Sequence, residues 1–248
     1  MAVPVSDRLF RYSFSSPENA RDLARNLLPR RYRHLVEEAL VSVDSKSYIE
    51  AELREQLTDL LICFDRPAGD AALYLYVLVE HKSQPDHWTP FQLLRYMFAV
   101  WSDVLRRERP EPQRLPPLLP VVLYQGTREW NAPRTLEALI ESADGAVPGE
   151  SPAVHIPRHI PRFEPLFVNL QSHPDENFHG GVRAVVALLF LKYLARRIDQ
   201  EAARVLLDAM HREGVTRELR EYFQAFYTAF LQTKSAEEID IFIAEAAR

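Results

Sequence analysis

Near the start of the chain apolar positions recur every three or four residues, so Asp7–Phe14 and Pro17–Leu28 are expected as two short helices. Ser16 is placed to cap the second, Pro17 occupies its first position, Glu18 lies in its first turn, and Pro29 ends it. The period then shortens. Residues 40–49 alternate loosely, while Thr58–Phe64 and Ala71–Lys82 are compact runs of aliphatic and aromatic residues around the turn Arg66–Asp70. Together the three predict an antiparallel meander. A helix is expected over Thr89–Arg107, with Thr89 as its cap and Pro90 at the first position. Its stripe toward the sheet would be Phe91, Leu94, Met97, Phe98, Trp101 and Leu105.

Beyond a proline-rich connector at 108–117, Leu118–Tyr124 reads as a buried strand ended by Gly126, which gives the order αα-βββ-α-β. The stretch 142–165 holds five prolines and is expected as a long irregular loop. Phe167–Leu170 adds a short strand. From Gly180 the period is helical again, over Val182–Arg197, Gln200–Arg212, Arg217–Thr233 and a last helix from Ala236. Phe223, Phe226, Tyr227 and Phe230 follow helical spacing and suit a packing or dimer face. The division expected is a core over 1–177, carrying the 142–165 loop, followed by a helical region over 178–248.

With 47% hydrophobic and 26% charged residues in 248, the chain has a globular composition that excludes disordered, collagen-like and coiled-coil classes. Its longest apolar runs, Ala71–Val79 and Ala184–Leu191, are too short for a membrane helix, and the N-terminus shows no signal core. A cytoplasmic protein is expected. A single cysteine, Cys63, forms neither an internal disulfide nor a cysteine-rich metal site, and its place on a strand suits a small buried hydrophobe. The net charge of -5 argues against non-specific coating of nucleic acid. Its distribution is uneven: seven arginines face three acids in residues 1–34, whereas ten acids face six bases from residue 198 onward. A local polyanion site on an acidic protein is compatible with that asymmetry, as are two ordinary solvated faces.

Chemistry concentrates on Ala71–Lys82. On a strand side chains alternate, so Tyr74, Tyr76, Leu78, Glu80 and Lys82 share one face, and Leu73, Leu75, Val77 and Val79 form an apolar core face. A hairpin through 66–70 brings Asp59 beside the end that carries Glu80 and Lys82. Two carboxylates on adjacent strands suit Mg²⁺, and a neighbouring lysine suits charge developing on phosphorus. On pattern alone a second reading stands equally: an Asp59–Lys82 surface ion pair with Glu80 solvated. Gln92 and Tyr96, one turn apart on the next helix, border this end; Gln92 either positions water or phosphate or forms a polar edge. Arg95 meets phosphate or solvent alike. His155 and His159 belong to a loop, because Pro157 and Pro161 forbid the helix that would pair them on a metal.

Several segments carry a family likeness: SDRLFRYSFSSPE from Ser6, LREQLTDLLI from Leu53, VEHKSQPD from Val79, PFQLLRYM from Pro90 and PVVLYQGTREW from Pro120. In that order they resemble the recombination-promoting nucleases, also labelled YhgA-like transposases, a branch of the PD-(D/E)xK nuclease superfamily. The resemblance spans about residues 6 to 133. It implies an α/β, restriction-endonuclease-like mixed sheet flanked by helices and Mg²⁺-dependent DNA cleavage, with Mn²⁺ or Ca²⁺ as substitutes. It further implies Asp59 and Glu80 as metal carboxylates and Lys82 as the motif lysine, with the His81 carbonyl nearby. Asp7 matches the acidic position of the first helix; it would join the metal shell or favour a helix N-terminus through the macrodipole. Two positions depart from the family pattern: Ser6 stands where a histidine is common, and Lys82 where glutamine is frequent. The second departure moves the chain toward the superfamily motif. The expected activity is a DNA endonuclease tied to recombination or mobile elements, with weak sequence specificity, no membrane partner and a homodimer as one arrangement. The alternative is a catalytically silent DNA-binding or assembly protein of transposase-like origin.

Overall fold

The computed structural model describes residues 5–37, 39–44, 60–66, 73–107, 113–140 and 161–194. Asp59, most of the 142–165 loop with His155 and His159, and the helices expected beyond residue 194 lie outside the described residues. The chain opens with α1 (Val5–Phe14), α2 (Pro17–Leu27) and α3 (Arg30–Glu37), followed by strands β1 (Leu40–Asp44), β2 (Leu60–Arg66) and β3 (Leu73–Lys82). Helix α4 (Thr89–Arg107) leads to β4 (Leu118–Tyr124), and β5 (Leu166–Asn169) precedes α5 (Val182–Leu194). Ser16 caps α2 as expected, its side chain accepting from Asn19 N at 3.3 Å. Helix α3 was not legible: Arg30-Arg31-Tyr32-Arg33-His34 hides a short helix whose buried anchor is Val36 alone. Arg66, expected in the turn, is the last residue of β2.

The strands form one sheet in the order β1-β2-β3-β4-β5. The first three make the antiparallel meander, and β4 and β5 run parallel to β3, as the crossover through α4 requires. Pro120 is tolerated inside β4 because β5 begins to pair only at Val121↔Leu166. Gln125 N donates to Lys82 O on the β3 side, so by alternation the missing Pro120 N–H faces the side where β4 is still open.

Period two divides the core. Leu60, Ile62, Phe64, Val121 and Leu123 pack on one face with Phe10 and Phe14 of α1, Leu23 and Leu27 of α2, and Ala184, Leu188 and Leu191 of α5. Leu61, Cys63, Val122 and Tyr124 pack on the other with Leu93, Tyr96, Met97, Val100 and Val104 of α4. Each side chain fully withdrawn from water contributes about 1.5–3 kcal/mol. Register assigns β3 to the same scheme. Val77 pairs with Ile62 and Val79 with Leu60 on the first face, whereas Leu78 pairs with Leu61, Glu80 with Val122 and Lys82 with Tyr124 on the α4 face.

The stripe expected on α4 is rotated. Of the expected stripe Phe91, Phe98 and Leu105 are exposed, Met97 is buried and Trp101 half-buried, and the other buried apolar positions are Leu93, Tyr96, Val100 and Val104. Gln92 is hydrogen-bonded to Lys82 on the sheet. The 93, 96 and 100 positions face the sheet with Gln92, and the Phe91 and Phe98 rings lie outside. Among the described residues no helix is long and apolar enough to cross a membrane.

Candidate active site

Strand β3 ends on Lys82, and six residues separate it from α4. The Lys82 ammonium donates to Asp86 Oδ2 at 2.8 Å and to Gln92 Oε1 at 3.0 Å, with most of its side chain withdrawn from solvent. Asp86 also builds the turn into the helix: its Oδ1 accepts from Trp88 N at 3.0 Å, and its carbonyl accepts from Thr89 Oγ1 at 2.9 Å. Thr89, expected as the cap, is instead the first residue of α4. The cap position falls to Trp88, whose carbonyl accepts from Gln92 N at 3.0 Å. Burial pushes the Asp86 carboxyl up, but the bonds from Lys82 and Trp88 N, the Lys82 charge and Gln92 together outweigh it and hold the group below its ordinary value. Asp86 is thus a carboxylate committed to positioning a lysine.

Of the residues anticipated for chemistry, the structure brings Lys82 and Gln92 into contact. Glu80 occupies the α4 face two positions before Lys82, and Asp7 lies in α1, with the side chains of both outside what is described. Asp59 also lies outside; it immediately precedes Leu60, which pairs with Val79. Among the described residues no three His, Cys, Asp or Glu side chains are grouped to hold a metal ion. Tyr96 is buried beside this end of the sheet, and Arg95 is exposed. Cys63 is buried and free of any disulfide.

Two positions that shape the surroundings of Lys82 were missed by sequence reasoning. Asp86 is one; an aspartate two residues before the Trp88 cap, ahead of Thr89-Pro90, is the turn signal that marks it. Gly126 is the other. Gln125 N ties β4 to the Lys82 carbonyl at 2.9 Å, and a Cβ on Gly126 would stand 2.5 Å from Ser83 O, so only glycine lets the two strand exits approach.

The chain is a member of the family described as "Putative transposase, YhgA-like", whose model matches residues 5–221. Among named relatives, it is 32% identical over 122 residues to recombination-promoting nuclease RpnD of Escherichia coli O157:H7, covering 49% of this chain and 45% of that protein. It is 31% identical over 120 residues to recombination-promoting nuclease RpnC of Escherichia coli strain K12, covering 48% of this chain and 38% of that protein. A third relative from the same strain, 30% identical over 120 residues, is the inactive recombination-promoting nuclease-like protein RpnE; the match covers 48% of this chain and 38% of that protein. The match therefore spans less than half the length of these three relatives. No solved structure matches the chain.

Proposed function

We propose that this chain is a divalent-metal-dependent DNA endonuclease on a restriction-endonuclease-like core, acting in recombination. The observation that carries the reading is the Lys82 ammonium, held by Asp86 and Gln92 at a strand end, two positions past Glu80 on the same sheet face. The donor set fits the ion: Asp59, Glu80 and Asp7 offer hard carboxylate oxygens, and Asp86 is already spent on the lysine. When bound, Mg²⁺, or Mn²⁺ or Ca²⁺ in its place, supplies Lewis acidity toward a phosphoryl oxygen and lowers the pKa of water. Lys82 places a compact positive charge against the negative charge that grows on the phosphoryl group. Gln92 and Asp86 hold that charge in place beforehand. Affinity for DNA rests on phosphate contacts, so sequence preference is weak and binding falls steeply with salt.

Supercoiled plasmid incubated with the full chain should be nicked in Mg²⁺ or Mn²⁺ and left intact in EDTA. Asp59→Ala and Lys82→Ala should each lower the rate by at least about a hundredfold. Cutting that ignores EDTA, or that survives both substitutions, overturns the reading. The inactive relative keeps a second reading in view, a DNA-binding protein without catalysis; DNA retention with no nicking in any metal would establish that instead.

A further inference from the structure

Beyond the lysine, α4 and the turn before it display bulky rings to solvent. Trp88, Phe91 and Phe98 are 55%, 46% and 70% exposed. With the exposed Arg95 between them they follow at intervals of three, four and three, which places all four on one face. Within α4 the single acid, Asp103, is buried and paired with Arg106, and Asp86 in the preceding turn is paired with Lys82. The described part of the surface combines exposed rings with the Arg95 guanidinium. Its first ring is fixed to the site through one carboxylate: Asp86 Oδ2 holds Lys82 Nζ while Asp86 Oδ1 holds Trp88 N. His87 and Phe91 brace the indole edge-to-face, with centroids at 5.0 and 6.3 Å.

A partner suited to this surface is a polyanion that also carries flat apolar faces, which describes DNA with a base out of its stack. We propose that Trp88, backed by Phe91, is a stacking platform for a nucleobase adjoining the phosphate that Lys82 serves. The inference rests on the nuclease reading and narrows it to a substrate class: single-stranded, bubble or mismatched DNA. Paired duplex keeps its bases inside, so it must unstack a base before it reaches the platform.

Fluorescence tests this directly. The chain holds three tryptophans, of which Trp130 is buried and Trp101 is half-buried with its indole N–H donating to Pro116 O, so Trp88 is the indole best placed to report an arriving base. The full chain in EDTA, where it does not cut, is titrated with oligothymidylate and with a strand of equal length and charge that carries abasic sites. Anisotropy of a labelled strand reports binding independently. The base-bearing strand should quench tryptophan emission and the abasic strand should not. Trp88→Ala should bind the base-bearing strand roughly tenfold more weakly, with little change for the abasic one, and Trp88→Phe should recover most of the loss. Binding without quenching, or equal response to both strands, overturns the platform and leaves the nuclease reading standing. A shift in sedimentation between wild type and Trp88→Ala, with no quenching, makes the face a contact between copies and also overturns it. If no DNA is bound and none is cut, the nuclease reading itself fails.

Discussion

Asp86 divides its carboxylate between a side chain and the backbone, and the two bonds have separable consequences. Asp86→Asn keeps a carbonyl oxygen for Trp88 N but removes the charge opposite Lys82. We expect plasmid nicking to fall about tenfold to a hundredfold as the ammonium loses its fixed position. The pair is only part-buried and contributes no more than about 1 kcal/mol. The melting temperature should accordingly shift by no more than about 2–4 °C, measured by calorimetry on the same samples. At this scale the shared face of Glu80 and Lys82 was legible, because strand alternation assigns a face without knowledge of the partner. Asp86 was not, because its role depends on a turn that folds the chain back on Lys82, and turns carry no period.

Helices were readable where capping residues mark their ends and less so where only amphipathicity orients them. The helix over Thr89–Arg107 was legible, with Thr89 opening it rather than capping it, yet its buried face was not, since α4 carries apolar side chains around much of its circumference. The short α3 escaped because it has too few apolar positions to show a stripe. Between elements, α2 grips the approach to α5. Asn26 exchanges hydrogen bonds with His179, donating to its carbonyl at 2.6 Å and accepting from its N at 2.9 Å, and Asp22 Oδ2 accepts from Gly181 N at 2.7 Å. Gly180 makes this possible with φ +121°, and a Cβ there would lie 2.5 Å from Asp22 Cγ. Gly180→Ala should therefore destabilise the protein by about 2–3 kcal/mol in urea titration. Gly181→Ala, whose Cβ would meet Asp22 Oδ2 at an ordinary 3.5 Å, should cost well under half as much.

For the molecule as a whole, one mixed sheet separates a face covered by α1, α2 and α5 from a face covered by α4. The antiparallel half was legible from short turn-bounded runs, whereas the parallel run of β4 and β5 was not read from the pattern, the mixed sheet being implied by the family resemblance. Beyond β5, His173 stacks on Phe178 at 4.7 Å. Burial lowers its imidazole below the ordinary value, and Lys192, Arg33 and His179 add to the effect against a bond to the Asn177 backbone. A histidine depressed in the folded state favours unfolding once protons bind, so its contribution is complete above the unfolded value near 6.5 and is lost as pH falls below it. Urea midpoints should drop between pH 7.5 and 5, and His173→Phe, which keeps a ring on Phe178, should flatten that slope. A different vulnerability lies at Gly126, which lets the exits of β3 and β4 close to within a backbone's width of Ser83. Any side chain there displaces the peptide that leads into the Asp86 turn. On the nuclease proposal, a descendant gene could keep every acidic codon and the lysine yet fall silent through one glycine codon, and a genome survey that scores activity by the presence of the motif would count that copy as intact.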